Sequence, residues 1–269
     1  QSPKICTMFV FSVIVLALAL VTTHTYVILP KGITATGRIV YGFDAVHNQF
    51  PYVVLLEMPT KEAVIYCGGS LIGNKWVLTA AHCVDRKIFI TVYLGLTHVD
   101  YAEVAYTIWN NNVTIHPHWD RESNDNDIAL IEIPHTETCD EIKTVPLPAM
   151  ATSYPDYVYQ LTDFSGWGTT ESAQVSPLLQ WLRLTVITNN VCSQRIHGVT
   201  SDMLCVGTRY RRSPCSGDSG GPLVLHSTGE LIAVLSSVAE VGCDLGYPAV
   251  FTRVTSYLDW IKSISGISY

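Results

Sequence analysis

The sequence predicts an all-β protein that ends in a helix, and two patterns support this prediction. From Tyr52 onward, short runs of β-branched and aromatic residues alternate with Gly, Pro, Asn and Asp, as in a chain of strands and turns. The clearest runs are residues 53–57, 76–79, 89–94 and 223–225. Near the end, apolar residues recur at helical spacing at Val254, Tyr257, Leu258, Ile261 and Ile264, which predicts an amphipathic helix packed on the core. No internal period indicates a solenoid or a propeller.

An apolar run of 13 residues, 9–21, precedes the predicted strands. It is too short to span a bilayer as a helix, but it has the length of the hydrophobic part of a secretory signal. We therefore expect translation to start at Met8, residues 1–7 to be upstream sequence, and residues 8–23 to be a signal peptide of a secreted protein. The alternative is a signal anchor that stays in the membrane.

The charge balance argues against nucleic acid as a partner. Residues 1–38 contain three basic side chains and no acidic one, so the remaining chain has 13 basic and 23 acidic side chains and a formal charge of −10. Phosphate backbones bind basic surfaces, whereas an acidic surface favours basic protein substrates or inhibitors. We expect a monomer that binds neither nucleic acid nor membranes.

Three separated motifs supply the groups that acyl-transfer chemistry needs. They are Thr-Ala-Ala-His-Cys at 79–83, Asp-Ile-Ala-Leu at 127–130 and Gly-Asp-Ser-Gly-Gly-Pro at 217–222. A serine hydroxyl is a poor nucleophile at neutral pH, so it needs a histidine to take its proton and a buried carboxylate to orient that histidine. Alone, such a histidine is usually a packed structural residue and such a glycine-rich run is usually a turn. Because all three motifs occur together, we interpret His82, Asp127 and Ser219 as a catalytic triad.

The order of the triad, with 45 residues from His82 to Asp127 and 92 from Asp127 to Ser219, resembles the chymotrypsin and trypsin family of serine endopeptidases. The resemblance implies a trypsin-like, all-β fold of two six-stranded antiparallel β-barrels, at about 39–149 and 152–252, followed by a helix at about 254–265. It also implies an oxyanion hole formed by the amides of Gly217 and Ser219, with Ser236 bonded to the triad carboxylate and to the substrate backbone. No cofactor and no metal are expected.

The resemblance further implies activation by cleavage. Gly-Arg-Ile-Val at 37–40 looks like the zymogen cleavage site of the family, which makes residues 24–38 a propeptide and residues 39–269 the protease domain. Cleavage after Arg38 implies a trypsin-like activating protease. The new ammonium group of Ile39 is then expected to pair with Asp218 and to order the oxyanion-hole loop, because an unpaired buried carboxylate is costly.

The specificity pocket differs from that of trypsins. The position at its base, six residues before the nucleophile, is Ser213, so the carboxylate that selects Arg or Lys is missing. On its walls, Val238 and Ala249 stand where trypsins and chymotrypsins keep glycine, so they would narrow or floor the pocket. The runs Arg-Ser-Pro-Cys at 212–215 and Ser-Val at 237–238 resemble pancreatic elastases, which implies cleavage after small aliphatic residues. The alternative is chymotrypsin-like cleavage after Phe, Tyr or Leu, since two extra residues before Cys243 can displace Val238.

Eight cysteines in a secreted chain indicate disulfides, because no metal-binding spacing is present. The resemblance implies the pairs Cys67–Cys83, Cys192–Cys205 and Cys215–Cys243, a three-bridge pattern typical of arthropod digestive or venom proteases. Cys6 would be lost with the signal, which leaves Cys139 either as a partly buried free thiol, the form we expect, or in an intermolecular bridge.

Two further expectations concern the surface and the class of function. Asn112-Val113-Thr114 fits an N-glycosylation sequon, so Asn112 is a candidate glycan acceptor. As a member of this family, the protein would cut protein or peptide substrates and bind protein inhibitors of serine proteases. The competing class is a non-catalytic homologue that keeps the fold for binding or regulation, but such homologues usually lose the serine or the histidine, and both are retained here.

Overall fold

The computed structural model describes residues 42–169, 176–239 and 241–269, and this part of the chain consists almost entirely of strands and turns. The strands are β1 (Phe43–Asp44), β2 (Val53–Pro59), β3 (Val64–Gly73), β4 (Trp76–Thr79), β5 (Phe89–Leu94), β6 (Val104–Trp109), β7 (Val113–Ile115), β8 (Ala129–Glu132), β9 (Leu161–Gly166), β10 (Gln180–Ile187), β11 (Met203–Gly207), β12 (Pro222–Leu225), β13 (Leu231–Ser237) and β14 (Ala249–Arg253). The helices are α1 (Ala81–Val84), α2 (Asn189–Ser193) and α3 (Leu258–Ser265).

The first sheet has the order β6-β5-β2-β3-β4-β8-β7, and every pairing in it is antiparallel. Its two edge strands, β6 and β7, are separated along the chain only by the single 3₁₀ turn Asn110–Asn112. Opposite edges of a seven-stranded sheet can be joined by so short a turn only if the sheet curls round until the edges nearly meet. The first sheet is therefore a curled half-barrel with seven strand segments, where the resemblance implied six closed strands.

The second sheet closes. Its order is β1-β10-β11-β14-β13-β12-β9, and β9 also pairs with β10, so six strands form a barrel. The short strand β1 pairs with one end of β10, through Phe43 opposite Trp181, although it precedes the whole first sheet in the chain. The N-terminal part of the described chain thus crosses from the second barrel to the first.

Each sheet has an apolar core, although the core of the first sheet also takes in Val224, Leu231 and Val234 of the second sheet, and a further cluster joins the two. The joining cluster combines Leu55 and Tyr93 of the first sheet with Trp167 and Leu179, which flank the strands of the second. The Trp167 side chain is almost completely buried there. Burying a large apolar side chain contributes about 2–3 kcal/mol, so this cluster helps to hold the two barrels together.

The predicted C-terminal helix is present, but α3 starts at Leu258 and not at about 254. Residues Val254–Ser256 form a 3₁₀ turn, and Tyr257 between the two has non-helical angles, φ −122° and ψ 9°. Leu258 and Ile261 are buried against the first core, as the apolar spacing predicts. The all-β class and the trypsin-like arrangement are confirmed. Within residues 42–169, 176–239 and 241–269, no helix is long and apolar enough to cross a membrane.

Candidate active site

His82 and Asp127 come together where two turns of the first barrel meet. His82 lies on the one-turn helix α1 directly after β4, and Asp127 lies just before β8, which pairs with β4. The backbone N–H of His82 donates to Oδ1 of Asp127 at 2.9 Å, and Nδ1 of the imidazole lies 2.7 Å from Oδ2. These two contacts fix the orientation of the ring and place the proton on Nδ1, which leaves Nε2 as the basic nitrogen.

The carboxylate of Asp127 is completely buried, and the second barrel supplies much of its environment. Ser236, on β13, donates its hydroxyl to Oδ2 of Asp127 at 2.6 Å. Thr252, on β14, donates its hydroxyl to the backbone carbonyl of Asp127 at 2.8 Å. A buried charge is tolerated when hydrogen bonds replace its lost hydration. Ser236, the backbone N–H of His82 and its imidazole do this for the carboxylate, whereas Thr252 holds the backbone of Asp127. The sequence analysis missed Thr252, because a threonine in a strand carries no motif.

Ser219 lies in the turn between residues 215 and 221, which both barrels hold in place. Its carbonyl accepts a 2.7 Å hydrogen bond from the backbone N–H of Gly68, in β3 of the first barrel. The N–H of Gly220 donates to the carbonyl of Leu235, in β13 of the second barrel, at 2.8 Å. A side chain at Gly220 would be excluded, because its Cβ would lie 2.2 Å from Oγ1 of Thr79 and its φ is +80°. The nucleophile position is therefore rigid.

Gly217 and Ser219 occupy the two positions expected to form an oxyanion hole. Gly217 adopts φ +92°, a conformation open to glycine and strained for other residues, and it lines the same cleft as His82 and Ser219. The turn is closed by the N–H of Asp218, which donates to the carbonyl of Cys215 at 3.0 Å. This cleft has a volume of about 870 Å³.

Asp218 points away from the cleft into the second barrel and is completely buried. Its Oδ1 accepts the N–H of Gly168 at 2.7 Å, and its Oδ2 accepts the N–H of Cys215 at 2.8 Å. Burial raises the pKa of this carboxyl to about 7, although the two backbone donors act in the opposite direction. Among the described residues, no cation forms an ion pair with it. Arg38 and Ile39, the predicted activation site, lie outside the described residues.

Glycines make room for this carboxylate. A Cβ on Gly166 would lie 2.2 Å from Oδ1 of Asp218, and a Cβ on Gly168 would lie 2.2 Å from Oδ2. Neither glycine has the backbone angles that make glycine necessary, so the requirement is one of space. The sequence analysis did not single out either residue.

The predicted specificity residues lie at different depths. Val238 lines the cleft and packs against the core of the second barrel. Ser213 and Ala249 are buried, and the hydroxyl of Ser213 donates to the carbonyl of Pro214 at 2.8 Å. Two charged residues that the sequence analysis did not connect, Arg211 and Asp244, form an ion pair and both line the cleft.

The three disulfides implied by the resemblance are present: Cys67–Cys83, Cys192–Cys205 and Cys215–Cys243. The first lies under the triad histidine, and the third ties the nucleophile turn to the wall of the cleft. Cys67, Cys83 and His82 also form the one group of three metal-ligand types among the described residues, but two of these sulfurs are joined to each other. Asn112 of the sequon ends the 3₁₀ turn between β6 and β7 and is half-buried.

The expectation of a free thiol at Cys139 is wrong. Cys139 is buried and disulfide-bonded, and its partner lies outside the described residues. Spacing alone cannot predict such a bond, because pairing depends on the distance between two sulfurs in the folded chain.

A buried carboxylate orients a histidine, and this histidine lines the same cleft as a serine held on a rigid turn by two β-barrels. This arrangement defines a serine endopeptidase of the trypsin-like fold. The trypsin family matches this chain over residues 39–261. The chain therefore belongs to the trypsin family.

Individual relatives agree with this assignment. The chain is 39% identical to serine protease 1 of Drosophila melanogaster over 236 residues, which is 87% of this chain and 88% of the relative. It is 38% identical to the collagenase of Hypoderma lineatum, over 95% of this chain and 98% of the relative, and 35% identical to the brachyurin of Leptuca pugilator, over 86% and 100%. A solved structure of HL collagenase superposes with a TM-score of 0.80 at 37% identity, covering 86% of this chain and all of that one. The protein is a serine endopeptidase that resembles arthropod members of the family.

Proposed function

We propose that this protein is a secreted, zymogen-activated serine endopeptidase that cleaves peptide bonds after small aliphatic residues. The observation that carries the specificity is the side chain of Val238 on the wall of the cleft, beside Gly217 and Ser219. A branched side chain at this position narrows the space for the substrate side chain next to the scissile bond. Small side chains such as Ala or Val fit the remaining space better than aromatic rings.

In the reaction, Oγ of Ser219 attacks the carbonyl carbon of the scissile bond and Nε2 of His82 takes its proton. The amides of Gly217 and Ser219 stabilise the resulting oxyanion, and donors of this kind contribute about 3–4 kcal/mol each to transition-state stabilisation. The protonated His82 then gives its proton to the leaving amine. In the second half of the reaction, His82 takes a proton from water as the water attacks the acyl group, and returns it to Oγ of Ser219 when the acid is released. Asp127, held by Ser236, stabilises the imidazolium throughout.

Charge in the pocket supports the same substrate class. Ser213 stands where trypsins carry the carboxylate that binds Arg or Lys, and its hydroxyl is already bonded to Pro214. Asp244 lines the cleft, but Arg211 neutralises it. A basic substrate side chain would therefore meet no unpaired carboxylate among the cleft residues that the structure describes.

The state of Asp218 supports the proposed activation. Its carboxylate is buried with two backbone donors and no cationic partner among the described residues. Cleavage after Arg38 by a trypsin-like protease would free the ammonium group of Ile39, which supplies the missing charge. The paired carboxylate then holds the turn that carries Gly217 and Ser219.

Secretion, the monomeric state, glycosylation at Asn112 and binding of protein inhibitors complete the proposal. Secretion is supported by the apolar run at 9–21 and by disulfides, which persist in oxidising compartments. The inhibitors would occupy the same cleft as the substrate.

The test uses protein cut at Arg38 and matched peptides that differ only in the residue before the scissile bond: Ala, Val, Leu, Phe or Arg. We expect the highest kcat/KM with Ala or Val, no activity in Ser219→Ala, and a shift toward Phe in Val238→Gly. Preference of the unmodified enzyme for Phe would show that the cleft accepts aromatic side chains despite Val238. Absence of cleavage of every peptide would favour a binding homologue.

A further inference from the structure

The cleft is lined by residues of both barrels. The first barrel contributes Ile65 and Tyr66 of β3, the Cys67–Cys83 disulfide and Lys87, whereas Val238 follows β13 of the second barrel. Because the proposed function assigns Val238 to the acyl side of the scissile bond, we assign the leaving-group residues of a bound peptide to the first-barrel lining. Lys87 is the charged side chain that they meet.

A strained turn places Lys87 at the cleft. The N–H of Lys87 donates to the carbonyl of Val84 at 3.2 Å, which closes a four-residue turn directly after α1. Asp85 has φ −61° and ψ 128°, and Arg86 has φ +57°, so this is a type II turn. Glycine normally occupies the position that Arg86 takes here, since a left-handed conformation is unfavourable for a long side chain. Such strained residues are enriched at functional sites, although other described residues, such as Tyr157 and Tyr159, also have positive φ angles.

The amino group of Lys87 has no ion-pair partner among the described residues, in contrast to its neighbours. Asp85, in the same turn, is bound by Arg121 and by the indole N–H of Trp119. Glu57, which lies opposite Tyr66 in the sheet, accepts the hydroxyl of Tyr93 at 3.4 Å.

Two other charged side chains line the cleft, Arg211 and Asp244, and they form an ion pair with each other. Within the described cleft, Lys87 is therefore the side chain able to bind an incoming carboxylate.

We propose that Lys87 is a specificity-determining residue that selects an acidic side chain among the first three residues after the scissile bond. This inference rests on the proposed endopeptidase function and adds the leaving-group side to its substrate class. It also modifies the expectation that the substrates are basic proteins, which was drawn from the net charge. The acidic surface as a whole favours basic proteins, whereas this local site favours Asp or Glu close to the cut.

The test compares peptides that share Ala before the scissile bond and carry Glu, Gln or Lys in turn at each of the three following positions. At one of these positions we expect kcat/KM to be about threefold higher for Glu than for Gln at low salt, as for a partly exposed ion pair, and the ratio to approach one at high salt. Lys87→Gln should abolish the preference and Lys87→Glu should reverse it toward Lys.

Two control variants separate this role from general effects of charge. Lys262→Gln removes an exposed lysine on α3, outside the cleft, and should leave the Glu-to-Gln ratio unchanged. Arg86→Gly removes the neighbouring charge but suits the turn, so it should keep the preference. Equal ratios in the unmodified enzyme, Lys87→Gln and Lys87→Glu would overturn the proposal, as would loss of the preference in Arg86→Gly alone.

The same peptides can be compared by their affinity for Ser219→Ala, in which turnover plays no part. An affinity that is highest for the Glu peptide, lower for the Gln peptide and lowest for the Lys peptide supports the role of Lys87 even if the rates are low. Efficient cleavage with no dependence on Lys87 refutes only this inference, whereas the absence of cleavage with an intact affinity order refutes only the proposed catalysis.

Discussion

Asp218 makes the stability of the uncleaved chain depend on pH in an unusual direction. The folded protein binds the proton of this carboxyl more tightly than the unfolded chain does, since burial raises its pKa from 3.8 to about 7. The stabilisation that the neutral carboxyl provides is fully present below pH 3.8 and is lost as the pH rises to about 7. The difference between the two pKa values corresponds to roughly 4 kcal/mol in all, of which about 3 kcal/mol falls between pH 5 and pH 8.

Asp218→Asn removes this titration, so it tests the magnitude directly. In uncleaved protein, the free energy of unfolding of the unmodified chain relative to Asp218→Asn should fall by about 3 kcal/mol from pH 5 to pH 8, measured by urea unfolding. After cleavage at Arg38 the sign should reverse at pH 8. The variant then leaves the ammonium of Ile39 without its partner, which costs about 3–5 kcal/mol.

The control is Asp259→Asn, which removes an exposed carboxylate on α3. Its stability should follow that of the unmodified chain at every pH. Parallel curves for the unmodified chain and Asp218→Asn across pH 5 to 8 would refute the assignment of the titration to Asp218. In that case, a constant offset between the two curves would reflect only the poorer hydrogen bonds that the amide forms.

Three further variants test the site and its support. Ser236→Ala removes a hydrogen bond of 2.6 Å to the buried carboxylate of Asp127. We expect the free energy of unfolding in urea to fall by about 2 kcal/mol and kcat to fall about tenfold. An unchanged kcat would show that His82 alone holds the carboxylate. Gly166→Ala places a Cβ 2.2 Å from Asp218, so it should lower the free energy of unfolding by about 3 kcal/mol and lower kcat about 100-fold, because the oxyanion hole is displaced. The control is Gly198→Ala, whose Cβ would have nothing within 4 Å. It should lower the free energy of unfolding by about 1 kcal/mol, because its φ is +78°, and leave kcat unchanged. Replacing both Cys192 and Cys205 by Ala opens a bridge of sequence separation 13 that does not line the cleft. Thermal unfolding should show a loss of about 3 kcal/mol with no change of kcat at low temperature, and a large change of kcat would connect this bridge to the active site.

Chemistry that depends on local motifs could be predicted from the sequence. His82, Asp127 and Ser219 each stand in a run whose residue types suit one role, and the structure brings the first two into direct contact. The alternation of apolar runs and turn residues likewise predicted the strands, since β2, β4, β5 and β12 all coincide with or extend the runs expected. The helical spacing at the end predicted α3 but placed its start one turn too early. The 3₁₀ turn at Val254–Ser256 and an α-helical turn have nearly the same apolar spacing.

Features that depend on distances across the fold could not be predicted. The contact of Thr252 with the carbonyl of Asp127 spans 125 residues, and the bond at Cys139 depends on where two remote segments meet. The left-handed conformation of Arg86 also escaped prediction, because the usual signal for such a turn is a glycine. Gly166 and Gly168 are conspicuous only once the position of the Asp218 carboxylate is known.

The hydrogen bonds of Asp127 make catalysis a measure of how the two halves of the chain have assembled. Asp127 belongs to the first barrel, yet Ser236 and Thr252, 109 and 125 residues further along, come from the second. Contacts over such separations form late in folding, because the long loop between them must first be closed. A refolding chain that has regained its strands but has not yet brought the barrels together would therefore have a histidine without its full set of supporting groups. Recovery of enzymatic activity should lag behind recovery of secondary structure, and neither barrel alone can supply a working triad.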